Sequence, residues 1–217
     1  MIKKKAIIFD LDGTLLDTLA DLGNSVNRVL SANQFPTHEI EAYRYFIGDG
    51  AKMLIQRALP EDQREETLIQ KCLQAFKADY EKNWRNQTSI YPGIADLLNS
   101  LSSQGLKLAV LSNKPHDFTV QCVQHFLSEW TFEVVLGQHP SRPKKPDPAG
   151  ALAIAEQMKT DPSSFCYAGD SGVDMKTAQA AGMSPIGVTW GYRTAKELRT
   201  AGAAALVNKP AQISKYC

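Results

Sequence analysis

Residues 6–18 read AIIFDLDGTLLDT. Two carboxylates, Asp10 and Asp12, leave a short apolar run one residue apart and lead into a glycine. Acids at that spacing lie on one face of an extended segment, so one can bind while the other moves protons. Three later stretches hold side chains of a complementary kind. Ser112 and Asn113 end the run LKLAVLSN, Lys144 and Lys145 precede Pro146, and CYAGDSGVD supplies Asp170 and Asp174. Four carboxylates gathered together cannot all stay ionised without a cation, and hard oxygen donors suit Mg²⁺. A lysine and a hydroxyl beside that cation would hold the oxygens of a phosphoryl group. Singly, each residue has an ordinary structural use. Asp12-Gly13 makes a turn, Ser112 a strand-end cap, Lys144 and Lys145 beside Arg142 a solvated basic loop, and Asp170 and Asp174 the first turn of a helix.

Chemistry therefore depends on whether the elements bring these residues to one edge. Ala6–Phe9 reads as a strand buried on both faces, as in parallel sheets covered by helices. After Thr18 the patterns are helical to about residue 84, in LADLGNSVNRVLSANQ, HEIEAYRYFIG, AKMLIQRAL and a long polar stretch from Glu61. From Pro92-Gly93 the pattern becomes helix, strand, helix, strand. The predicted strands are LKLAVLSN, FEVVLG, SFCYAGD, PIGVTW and AALVN, and the predicted helices start at Ile94, His116, Asp147-Pro148 and Val173. Alternation of this kind implies parallel βαβ units that include the first strand. The expected fold is α/β, a Rossmann-like parallel sheet with helices on both faces, carrying an all-helical insertion after its first strand. The expected core spans residues 1–17 and 85–217, and the insertion spans 18–84. In an open parallel sheet ligands bind outside the carboxyl ends of the strands, where every motif above falls.

Composition excludes several other classes. The chain has 217 residues, 43% hydrophobic and 22% charged, with a net charge of +1, so there is no bulk attraction for nucleic acid or anionic lipid. No apolar run approaches a membrane span, and Lys3-Lys4-Lys5 precedes a short strand and not a signal-peptide core. Cys72, Cys122, Cys166 and Cys217 lack CxxC spacing, which favours reduced thiols in a cytoplasmic protein. The histidines His38, His116, His125 and His139 lack metal-ligand spacing. Trp190-Gly191 follows a predicted strand, which puts it at the border of the site or in the core, the core being the main expectation.

DLDGT after a hydrophobic strand, LSN after the second, then KKPDP and GDSGVD resemble in order the four signature motifs of the haloacid dehalogenase superfamily. The resemblance covers nearly the whole chain. LLDTLADLGNSVNRVL, FIGDGAKMLIQRAL and LSNKPHDFT are similar to its phosphoglycolate phosphatase-like branch, whose small helical cap the insertion resembles. The resemblance implies a Mg²⁺-dependent phosphomonoester hydrolase acting on a small phosphorylated metabolite, as a monomer or homodimer. It implies that Asp10 is the nucleophile and Asp12 the proton donor and later the base. Mg²⁺ would be held by Asp10, Asp12 through its main-chain carbonyl, and Asp170, with Asp174 nearby or acting through water. Thr14, Ser112, Asn113 and Lys145 would lie at the phosphoryl oxygens. Lys145 is preferred over Lys144 because the family's lysine directly precedes a proline. In the cap, Gly48, Asp49, Gly50 and Lys52 stand where a helix N-terminus could meet an anion.

The leading expected substrate is 2-phosphoglycolate. Rival expectations are a phosphatase for another small phosphate, such as a sugar phosphate or pyrophosphate, and a sugar phosphomutase. Thr14 favours the phosphatase over the mutase, and Asp12 argues against dehalogenase chemistry. A phosphorylated receiver module would carry its acid on a later strand and would lack the insertion. No GxGxxG run or Walker-type loop indicates a nucleotide-binding protein.

Overall fold

A computed structural model describes residues 4–217, so Lys3 of the basic run lies outside them. In chain order the elements are β1 (Ala6–Phe9), β2 (Leu16–Asp17), α1 (Leu19–Ala32), α2 (Tyr43–Phe46), α3 (Ala51–Ala58), α4 (Glu66–Asn83) and β3 (Ser89–Ile90). They continue with α5 (Ile94–Ser103), β4 (Lys107–Pro115), α6 (His116–Phe126), β5 (Phe132–Gln138), α7 (Ala149–Gln157) and β6 (Phe165–Gly169). Finally come α8 (Gly172–Ala180), β7 (Ser184–Val188), α9 (Ala195–Thr200) and β8 (Ala205–Val207). Contacts divide the chain into two compact units, one running up to Leu16 and resuming over Ile90–Cys217, the other being Asp17–Ser89. The chain passes between them through β2 and β3, which pair as a two-stranded sheet.

The first unit is a six-stranded sheet in the order β5-β4-β1-β6-β7-β8, parallel at every pairing. This is the doubly wound order in which connections run outward in both directions from the first strand, with a crevice at the reversal. β1 is central because all four of its side chains are apolar and fully buried. Alternation along the strand sends Ala6 and Ile8 to one face, into a cluster with Ile154 and Ala155 of α7 and Ala178 of α8. α5 follows Gly93, whose φ of +84° is readily adopted only by glycine, and buries the predicted stripe of Ile94, Leu97, Leu98 and Leu101.

Sequence reading missed α9, although it begins with a capping box: the Thr194 hydroxyl accepts from the Glu197 N–H, and the Glu197 carboxylate accepts from Thr194. The continuous helix expected over HEIEAYRYFIG is instead a 3-10 turn at Ile40–Ala42 followed by the single turn α2. Its residues are drawn to ring contacts, His38 and Tyr43 each meeting Phe46 edge-on.

Within the helical unit the segment after α4 is tied back to α1. Asp21 is 2% exposed, and its carboxylate accepts from the Gln87 and Thr88 N–H groups and the Thr88 hydroxyl at 2.8–3.0 Å. These charge-assisted bonds fix residues 87 and 88, immediately before β3. Asp21→Ala strands those donors, and the expected loss is about 3 kcal/mol. A lowered urea midpoint for the full chain, followed by tryptophan fluorescence, checks this.

Candidate active site

Parallel pairing of β4, β1 and β6 puts three carboxyl ends side by side, with Phe9 level with Val110 on one neighbour and Ala168 on the other. Asp10 therefore emerges beside Leu111 and Gly169. β4 runs on past this level and delivers Ser112, Asn113 and Lys114, while Asp170 follows β6 directly. Gly13, at φ +82°, turns the chain after Asp12, and a Cβ there would lie 2.4 Å from Asp170 Oδ2. Only glycine permits both the conformation and that approach.

Asp10, Asp170 and Asp174 are buried, and each offers an oxygen lying within 4.8 Å of the others. Lys145 is 4% exposed and joins two of them, its Nζ standing 2.9 Å from Asp10 Oδ1 and 2.7 Å from Asp174 Oδ1. It also donates to the Leu111 carbonyl at 3.1 Å. Lys144, one residue earlier, is exposed. Burial works against the lysine's charge, but Asp10 and Asp174 outweigh it and hold the ammonium well above its usual range. The same crowding acts on the acids. Burial, then the Asp174 charge, push Asp10 up to about 7 against the pull of Lys145. Burial, then Asp10 and Asp174, raise Asp170 well above the carboxylate range, although the Tyr192 N–H donates to its Oδ2 at 2.7 Å. Buried carboxyl groups that crowd one another into holding protons, and that offer hard oxygens, form a donor set fitted to a divalent cation.

The other expected residues have varied placements. Asp174 also closes the start of α8, accepting from the Ser171 N–H and hydroxyl. Ser112 is buried at the edge and accepts from the Lys114 N–H at 3.2 Å. Both ends of the Asn113 amide, expected at the phosphoryl group, meet main-chain atoms of Lys145 at 2.8 and 3.0 Å, so this residue positions the lysine's loop. Thr14 is fully buried; among the described residues its Oγ1 is the buried side-chain polar atom with no hydrogen-bond partner. Asp12 lies outside the group of three carboxylates and pairs with Lys114. In the helical unit Gly48 and Gly50 take φ of +122° and +90°, Asp49 pairs with Arg57, and Lys52 pairs with Glu66.

Sequence pattern assigns no role to Lys114 or Tyr192, and leaves Trp190-Gly191 between the border of the site and the core. Lys114 stands two residues beyond Ser112 on an extended strand, so the strand period places both on one face. Trp190 donates its indole N–H to the Thr14 carbonyl at 3.0 Å, and Tyr192 supports Asp170 as above. Between them Gly191 runs so close that a Cβ would lie 2.2 Å from the Gly13 carbonyl. Such a strap depends on tertiary approach and leaves no local pattern.

The sequence model of the haloacid dehalogenase-like hydrolases matches residues 7–188. The chain belongs to that family. Among its hydrolase relatives is a phosphoglycolate phosphatase of Psychrobacter arcticus, 34% identical over 202 residues that cover 90% of this chain and 88% of the relative. Another, from Pseudomonas putida, is 33% identical over 192 residues, covering 87% and 70%. Among solved structures, a Lactobacillus delbrueckii subsp. bulgaricus protein, provisionally designated a phosphoglycolate phosphatase, superposes with a TM-score of 0.93. It shows 29% identity and covers 99% of this chain and 98% of its own. Among the described residues of this hydrolase no helix is long and apolar enough to cross a membrane.

The raised acids fix a sign. Asp10 keeps its proton in the folded chain up to about 7, against an ordinary 3.8 when unfolded. The folded state thus binds more protons across that window, and the stability present at its acid end is lost as pH rises through it. Urea midpoints in excess chelator are expected to fall from pH 5 to pH 7.5, and Asp10→Asn is expected to flatten that fall.

Proposed function

We propose that this hydrolase is a phosphoglycolate phosphatase that removes phosphate from 2-phosphoglycolate through an aspartyl-phosphate intermediate. The observation that carries the chemistry is Lys145 bridging Asp10 and Asp174 beside Asp170 in a buried cluster. The substrate rests on the likeness to the phosphoglycolate phosphatases of Psychrobacter and Pseudomonas.

Asp10, Asp170 and Asp174, with the Asp12 main-chain carbonyl, would hold Mg²⁺. When bound, that ion supplies positive charge against which carboxylate and phosphate dianion can approach. A carboxylate oxygen of Asp10 attacks phosphorus and the bond to the glycolate oxygen breaks, with Asp12 giving that oxygen its proton. Lys145 and the Ser112 hydroxyl hold the equatorial phosphoryl oxygens, where charge accumulates. Asp12 then takes a proton from water as it attacks phosphorus, which frees phosphate and restores Asp10.

Phosphate release measured with Mg²⁺ from 2-phosphoglycolate, hexose phosphates, nucleotides and pyrophosphate tests this assignment. Wild type is expected to prefer 2-phosphoglycolate, and Asp10→Asn to fall below about a thousandth of that rate. Preference for another ester would reassign the substrate, and undiminished turnover by Asp10→Asn would remove the proposed nucleophile. Asp12→Asn is expected to lose most phosphate release as well, because it removes both the proton donor for the leaving oxygen and the base for water.

A further inference from the structure

Two lysines divide the acids of this edge. Lys145 serves Asp10 and Asp174, whereas Asp12 has a lysine of its own. Lys114 Nζ stands 3.1 Å from Asp12 Oδ1 and 3.3 Å from Oδ2, with the two side chains 4% and 12% exposed. An ammonium shared by both oxygens restrains the carboxylate's rotation as well as its place. Lys114 is itself held at the end of β4. Its N–H donates to Ser112 Oγ, and its carbonyl accepts from the Thr119 hydroxyl at 3.2 Å. That carbonyl also packs on Gly137, where a Cβ would come within 2.7 Å of it.

A flexible aspartate two residues from Asp10 has an alternative. It can turn towards the cluster of three carboxylates and become one more cation ligand, which would leave no free group for proton transfer. We infer that Lys114 is a positioning residue that holds the Asp12 carboxylate apart from Asp10, Asp170 and Asp174, reserving it for the leaving oxygen and the attacking water. This role rests on the phosphatase reading for its kinetic consequence, but not for its geometry.

Mn²⁺ binding followed by electron paramagnetic resonance tests the geometry without turnover. Lys114→Met is expected to bind Mn²⁺ about tenfold more tightly, because Asp12 is released to join the ligands. That gain should disappear in Lys114→Met/Asp12→Asn when compared with Asp12→Asn. A gain that survives in the double variant would mean the lysine acts by charge alone, and no gain at all would mean Asp12 is not restrained; either overturns the inference. Should Lys114→Met fail to fold by circular dichroism, Lys114→Gln takes the same comparison. In kinetics with 2-phosphoglycolate, kcat is expected to fall at least about tenfold with KM changed less than about twofold, and Lys114→Arg to restore most of the loss. A raised KM with unchanged kcat would make Lys114 a substrate contact and overturn the positioning role. Absence of phosphate release by the wild type would instead defeat the phosphatase reading, while the Mn²⁺ comparison still decides the pairing.

Discussion

Burial of one ammonium between two carboxylates governs the organisation of this site. Lys145 touches Asp10 and Asp174 at 2.9 and 2.7 Å, and a third acid, Asp170, has an oxygen within 4.8 Å of both. In a region of low dielectric a single positive charge cannot balance three negative ones, so Asp10 and Asp170 are driven towards their protonated forms. The cluster is thereby poised to exchange protons for a cation. The same imbalance that costs stability in the bare protein favours binding of a cation.

The fold concentrates these charges without burying them unsupported. Reversal of strand order at β1 makes the carboxyl ends of β4, β1 and β6 adjacent, and each strand contributes its polar residues just past its last buried apolar one. Main-chain donors then meet the acids. The Leu11 N–H donates to Asp10 at 2.7 Å, the Tyr192 N–H to Asp170, and the Ser171 N–H to Asp174. Gly13 and Gly191 let three loops close on this point, because any side chain at either position would collide with Asp170. Asn113, through two bonds to the Lys145 main chain, places the ammonium with a precision that a free loop would lack.

Under the proposed mechanism, division of labour between Lys145 and Lys114 would extend this logic to proton transfer. Neighbouring aspartates on one strand end would compete for the same partners, yet each is assigned a different lysine from a different segment. In the helical unit, Asp21 performs an analogous structural task, using one buried carboxylate to fasten the segment that leads back to the sheet.

Much of the architecture was legible in the chain itself. Apolar run lengths gave the strands, the stripe of Ile94, Leu97, Leu98 and Leu101 gave a helix, and the position of Asp10, Asp12, Ser112, Lys145, Asp170 and Asp174 after strands placed them at one edge. These are local properties, because strand and helix periods are written in adjacent residues. Thr194 and Glu197 also carry a local signal, the capping box of α9. Tertiary structure alone decided the partners. The pairing of Lys114 with Asp12 spans 102 residues, that of Asn113 with Lys145 spans 32, and that of Trp190 with Thr14 spans 176. Burial of Lys145 and exposure of Lys144, adjacent residues of one type, likewise follow from which of them the packed loop turns inward. Sequence determined which side chains arrive at the edge of the sheet, since that needs only element order. Which charge neutralises which depends on approach in three dimensions, where separation along the chain has no bearing on distance.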